Sequence, residues 1–161
     1  MPKMTADQAG GANVCAFLDM IAWSELGYGL IAKSDDGYNV LVGATPQKPL
    51  LFTSYAQHPR VHNAQENSDA AGRYQFMGKY WEHYRDQLSL PDFGPMSQDI
   101  WAIQLIKECH ALADIQAGRL TNAVALCRSR WASFPKAGYN QNEHTIEQMQ
   151  RAYLAAGGKF S

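Results

Sequence analysis

The chain has 161 residues, 46% of them hydrophobic, 11% aromatic and 18% charged, a composition that fits one globular domain able to bury a core without a metal or a disulfide framework. Fourteen Lys and Arg against fifteen Asp and Glu leave a formal charge of −1, so no basic excess draws the chain to nucleic acid. No apolar run approaches the roughly 18 residues that cross a bilayer, and a soluble protein without stable membrane insertion is expected.

Residues 1–12 are polar and Gly-rich and lack the apolar stretch of a secretory signal, so they read as a loose leader before a domain over 13–161. The first periodic stretch is V-C-A-F-L-D-M-I-A-W-S-E (14–25). Val14, Phe17, Leu18 and Ile21 recur at i, i+3, i+4 and i+7, which predicts a helix with one apolar stripe. Glu25 is the next member of that stripe, almost three turns beyond Val14. It is either an acid reaching a solvent margin at the helix end or a buried acid. In the second case burial raises its pKa and makes it a proton donor near neutrality, with Trp23 adding apolar bulk. Gly27 and Gly29 then end the helix.

After a polar bend over 33–37, residues 38–42 and 50–53 are β-branched and aromatic runs joined by a loop with two prolines, which predicts a small antiparallel β-hairpin. Residues 54–71 show no periodicity and carry His58, Arg60, His62, Asn63 and Asp69 among other polar groups. So long a loop is expected to be a substrate-facing lip rather than a connector. Residues 72–76, G-R-Y-Q-F, suit a third strand or a turn. Met77, Tyr80, Trp81, Tyr84 and Leu88 keep helical spacing up to Pro91, with Trp81 expected in the core. Pro95 and Ser97 are expected to open the next helix, with Ser97 its N-cap candidate, and its stretch 100–106 is apolar nearly all round and so central.

A short helix over 112–117 stops at Gly118, and Thr121 is expected to cap another that runs to about residue 132. Residues 133–142, S-F-P-K-A-G-Y-N-Q-N, are loop chemistry rich in flat and amide side chains. A final helix from about Glu143 uses Ile146, Met149 and Tyr153. The order is a run of helices with one small hairpin after the first, an α+β, mostly helical single domain.

Cys15, Cys109 and Cys127 lack metal-ligand spacing. They are expected as reduced core thiols, with a disulfide between Cys109 and Cys127 as the alternative, and reduced thiols point to folding in a cytoplasm. His58 and His62 sit four apart in a loop, a poor zinc pattern, and no P-loop, dinucleotide fingerprint, nucleophile elbow or H-E-x-x-H occurs. Neither a metal nor a cofactor is expected. What remains is one acid on an inward helix face and loops bearing Tyr, Asn, Gln, Ser and Trp. Those side chains stack on sugar faces and hydrogen-bond hydroxyl and acetamido groups, so a carbohydrate groove is expected. Glycosidic cleavage needs an acid held protonated, a role that suits Glu25.

The segments A-F-L-D-M-I-A-W-S-E (16–25), G-Y-N-V-L-V-G (37–43), L-F-T-S-Y-A-Q-H-P-R (51–60), A-G-R-Y-Q-F (71–76) and W-A-S-F-P-K-A-G-Y-N-Q (131–141) occur in order. Over about residues 15–158 the chain resembles the lambda-type phage endolysins. The resemblance implies a lysozyme-like fold with a small sheet beside an active-site cleft. It also implies a lytic transglycosylase that cuts the β-1,4 bond between N-acetylmuramic acid and N-acetylglucosamine of peptidoglycan and leaves a 1,6-anhydro ring. By that resemblance Glu25 is the catalytic acid and then the base, and Tyr74, Gln75, Trp131, Ser133, Tyr139 and Gln141 line the groove. For Tyr74 and Trp131 core packing stands as an equal alternative.

Residues 54–71 and 135–142 take the places of the family's two lips, while 44–49 and 61–70 depart from its pattern in length and composition. Asp35 and Asp36 are candidates for the second carboxylate that a hydrolytic muramidase uses, with a solvated turn as their other reading. The alternatives are such a muramidase and a non-catalytic glycan-binding module. The implied partners are peptidoglycan glycan strands and a separate holin. The protein itself is expected to be a monomer made in the host cytoplasm and active in the periplasm.

Overall fold

A computed structural model describes residues 1–136 and 143–161. Within residues 1–12, expected as a loose leader, a short capped helix forms. Thr5 Oγ1 accepts from the Gln8 amide at 3.2 Å while Gln8 Oε1 accepts from the Thr5 amide at 2.9 Å, a capping box that opens α1 (Ala6–Ala9). The N-terminal ammonium lies 3.3 Å from Asp19 Oδ1. A polar composition hid a local capping signal, T-A-D-Q.

Helix α2 (Ala12–Ala32) buries Val14, Phe17, Leu18 and Ile21 completely, as the apolar stripe requires. It passes the expected stop because Gly27, at φ 76 and ψ 155, kinks the helix instead of ending it, a conformation that only glycine adopts at little cost. The expectation that no segment is long and apolar enough to cross a membrane is also corrected. An 18-residue window of α2 has a mean hydropathy of 1.4, and half of that window is buried inside the fold. Asp19 and Glu25 interrupt the apolar run without lowering its average far.

A 3-10 turn (Gly78–Tyr80) leads into α3 (Trp81–Leu88). Next comes α4 (Pro95–Glu108), which opens at Pro95 as expected, with Ser97 inside its first turn rather than at the cap. A proline at the first helical position lacks only an amide that a helix start leaves unpaired, and Ser97 Oγ donates instead to Asp92 Oδ1 at 3.0 Å. The later elements are α5 (Leu112–Gln116), α6 (Leu120–Cys127) and α7 (Ile146–Ala155). Helix α6 is shorter than expected and has no side-chain cap, whereas α7 opens on a second capping box, Thr145 with Gln148.

The chain forms two compact units, one of Met1–Glu25 with Ala102–Ser161, the other of Leu26–Trp101. In the first, Phe17, Leu18, Ile21, Ile106, Val124, Met149 and Tyr153 are buried, each such side chain contributing about 1.5–3 kcal/mol. Phe134 meets Phe17 edge-on at 6.3 Å and stacks on Trp131 at 5.6 Å. In the second unit the core is aromatic. Phe76 stacks on Trp101 at 4.0 Å, and Trp81, Tyr84 and Phe93 close around them.

Among the described residues no β-strand forms, so the hairpin over 38–42 and 50–53 is not seen as strands. Antiparallel pairing is limited to isolated bridges, Val40 with Leu51, Leu41 with Ala71, Asn63 with Ser68 and Ala71 with Phe76. Left-handed Gly37, Gly43 and Gly72 bend the backbone at the margins of these runs, Leu41 N and Phe52 N donate across to Leu50 O at 2.8 Å and Asn39 O at 2.9 Å, and buried polar side chains take up further backbone groups. Gln98 Nε2 donates to Tyr38 O at 3.0 Å and to Phe93 O at 2.8 Å, while its Oε1 accepts from the Arg73 amide at 2.9 Å. Backbone groups without a ladder need such partners when buried.

Candidate active site

Glu25 stands where the stripe of α2 places it, half-buried in the first unit. Its Oε1 accepts a hydrogen bond from Ser133 Oγ at 3.2 Å. Ser133 is itself buried and shares a short hydrogen bond with Ser24 Oγ. Burial drives the Glu25 carboxyl up from 4.5 to about 7, and the bond from Ser133 pulls against that rise. Removal from water disfavours the charged carboxylate, so near neutrality a large part of this side chain carries its proton. A carboxyl of this kind can give a proton and take it back within one catalytic cycle.

His144 fixes the surroundings. Its amide donates to Ser133 O at 2.9 Å, its Nε2 lies 3.0 Å from Ser24 O, and its ring packs on Trp23 with centroids 4.4 Å apart. The stretch carrying Ser133 is thereby tied to the turn of α2 that carries Glu25. Neither Ser24 nor His144 stands out in the sequence as a site residue. Ser24 lies beside the expected acid, but His144 sits 119 positions further on in a polar stretch, and nothing local signals its contact.

The other expected site residues separate into groups. Ser133 joins Glu25 directly, as a partner of the acid. Trp131 is 2% exposed and Tyr74 is 0% exposed, and both pack as their core alternative describes. Tyr74 belongs to the second unit, where its hydroxyl donates to Asp99 Oδ1 at 2.6 Å and accepts from Arg73 Nη1 at 3.1 Å. Tyr38 donates to the same Asp99 oxygen at 2.8 Å. Burial pushes the Tyr74 hydroxyl well above its ordinary range, which keeps it a donor. Gln75, at φ 53, turns its Nε2 to Gly72 O at 2.8 Å. Tyr139 and Gln141 lie outside the described residues.

Asp35 and Asp36 follow their turn reading. Asp35 Oδ2 accepts from Tyr55 Oη at 2.6 Å, and Asp36, left-handed at φ 50, gives its carbonyl to Arg73 Nε at 3.0 Å. His58, half of the weak histidine pair, is buried with Nε2 2.7 Å from Phe76 O and Nδ1 accepting from the Arg60 amide at 3.0 Å. Both of its ring nitrogens serve the second unit's own backbone.

The endolysin family model matches residues 15–160. The chain is 47% identical to the endolysin of Escherichia phage P2 over 98% of each chain. It is 44% identical to the endolysin of Escherichia phage lambda, over 89% of this chain and 90% of that one. Among solved structures, bacteriophage lambda lysozyme complexed with a chitohexasaccharide is similar with a TM-score of 0.84 and 39% identity, both chains being covered fully. A second structure of lysozyme from bacteriophage lambda gives a TM-score of 0.79 at 38% identity, again over the whole of both chains. The fold is lysozyme-like, and by sequence and structure together the chain belongs to the endolysin family.

Proposed function

We propose that this endolysin is a lytic transglycosylase of bacterial peptidoglycan that cuts the β-1,4 bond between N-acetylmuramic acid and N-acetylglucosamine. The observation that carries the reading is the Glu25 carboxyl, raised to about 7 by burial and bonded to Ser133. With Oε1 engaged by Ser133, the proton sits on Oε2. Glu25 gives that proton to the glycosidic oxygen as the bond to the anomeric carbon breaks. The muramyl 6-hydroxyl then attacks the anomeric carbon, and its proton passes to the Glu25 carboxylate. The carboxyl is restored, water is not consumed, and a 1,6-anhydro ring remains. Ser133 acts as a positioning residue, since its bond strengthens while Glu25 is charged.

One carboxylate suffices because the nucleophile belongs to the substrate, whereas a hydrolase of the retaining or inverting kind uses two. The engagement of the Asp35 carboxylate by the Tyr55 hydroxyl supports this single-acid reading. Mass spectrometry of digested peptidoglycan tests it. Anhydro-muropeptides are expected, and products heavier by one water would replace the transglycosylase with a muramidase. Glu25→Gln should abolish wall clearing with the fold retained, and undiminished clearing would remove Glu25 from the mechanism.

Access follows from the same reading. A monomer made in the host cytoplasm reaches peptidoglycan in the periplasm after a separate holin opens the membrane. Prompt lysis on expression of this chain alone, without a membrane lesion, would count against that route.

A further inference from the structure

Behind the partner of the acid stands a second hydroxyl. Ser133 Oγ lies between two groups of the first unit, the Ser24 hydroxyl on one side and Glu25 Oε1, at 3.2 Å, on the other. Both serines are buried. The backbone of each is held independently of its hydroxyl, since the His144 amide donates to Ser133 O at 2.9 Å and His144 Nε2 lies 3.0 Å from Ser24 O. A serine inside a helix can give its proton to the carbonyl one turn back. Among the described residues Ser24 makes no such bond, and its hydroxyl has one partner, Ser133 Oγ.

The direction of this chain follows from counting protons. A single proton lies between the two serine oxygens. If Ser133 supplied it, Ser133 would have none left for Glu25, and the Ser24 proton would be buried without an acceptor, which costs free energy. If Ser24 supplies it, Ser133 gives its own proton to Glu25 Oε1 and both hydroxyls are satisfied. A charged carboxylate only accepts, so it permits the second arrangement alone. When Glu25 carries a proton, the same arrangement leaves that proton on Oε2.

We propose that Ser24 is a positioning residue for the reaction at Glu25, its hydroxyl donating to Ser133 Oγ so that the Ser133 proton points at Glu25 Oε1 in both states of the acid and the catalytic proton is kept on Oε2. Hydrogen bonds in a chain polarise one another, so the donation from Ser24 strengthens that from Ser133, and most when Glu25 is charged. The role rests on the reading of Glu25 as the acid and then the base, and it holds whether the product is an anhydro sugar or a hydrated one.

The test compares the purified unaltered chain with Ser24→Ala, Ser133→Ala and the double variant. Carboxyl-carbon NMR follows the Glu25 titration without substrate, and the descending limb of the pH–rate profile is read on purified peptidoglycan. Ser24→Ala should raise titration and limb together by about half a pH unit, less than Ser133→Ala does. The double variant should match Ser133→Ala alone, because Ser24 acts through Ser133. Alanine is the best helix former, so α2 should be retained, and Ser24→Thr, which keeps a hydroxyl, should titrate with the unaltered chain. An unmoved or lowered titration in Ser24→Ala, an equal rise in Ser24→Thr, or a double variant whose shift is the sum of the two single shifts would each overturn the role. If the titration moves while the limb stays in place, Glu25 is not the reacting acid, and the reading of the function falls and takes the role of Ser24 with it.

Discussion

Replacing Glu25 with Gln separates the energetic consequence of burying this acid from its chemistry. Glutamine has nearly the same shape, keeps an oxygen to accept from Ser133 Oγ, and is neutral at every pH. The Glu25 carboxyl titrates at 4.5 when exposed and at about 7 in the fold. Below 4.5 it is protonated in both states, and burying it carries no charge penalty. As pH rises from 4.5 to about 7 the unfolded chain ionises first, and folding stability is lost until the folded carboxyl ionises too. At about 1.4 kcal/mol per pH unit, the full loss is about 3.5 kcal/mol. Urea titrations of the unaltered and Glu25→Gln proteins near pH 4, 6 and 8 measure it. The two should be nearly equal near pH 4, and the Glu25→Gln variant should be more stable by about 3.5 kcal/mol near pH 8, or about 7–14 °C in melting temperature. A difference that stays flat with pH, or that favours the unaltered chain near pH 8, would refute the assignment of a buried, raised carboxyl.

Ser133→Ala removes the donor that stabilises the Glu25 carboxylate, so the acid's pKa should rise further. A hydrogen bond to a charged group contributes about 1.5–3 kcal/mol, and at 3.2 Å the lower end applies. The descending limb of the pH–rate profile should therefore move up by about one pH unit, and an unmoved or lowered limb would contradict the role given to Ser133. Tyr74→Phe withdraws the hydroxyl that links Arg73 to Asp99, which should cost about 1–3 kcal/mol in urea unfolding and leave affinity for chitooligosaccharides unchanged. Weaker sugar binding at unaltered stability would return Tyr74 to the groove.

Much of the helical part was legible because its information is local. The stripe from Val14 to Ile21 puts Glu25 on an inward face through the period of the helix alone, and both the burial of that stripe and the raised carboxyl follow. The apolar residues 100–106 announced a core segment, and Trp81 and Trp101 are buried as expected. Pattern failed where pairing partners are distant. Residues 38–42 have strand composition, yet their backbone bonds are divided between residues 50–52 and 70–72 and Tyr38 O is taken by the buried Gln98 side chain, and no propensity encodes that. Tyr74 looked equally suited to groove or core because an aromatic with a polar tip serves either, and the decision lies with Asp99, 25 positions away. The hydrogen bond from Ser133 to Glu25 spans 108 positions. Sequence could nominate both residues through the family resemblance, but only the fold makes one the partner of the other.

The stretch around Ser133 is also fastened on the far side of residues 137–142. His144 N bonds to Ser133 O at 2.9 Å, and Lys136 N bonds to Glu143 Oε2 at 2.9 Å, so the two ends of the intervening chain are clasped to each other. Doubling the length of a segment closed in this way costs only about 0.6 kcal/mol in chain entropy. Natural or designed variation can therefore be written into those six positions, in length as well as in side chains, without loosening the serine that steadies the acid. The serine's fastening is made wholly by residues on the two flanks, 133–136 and 143–144.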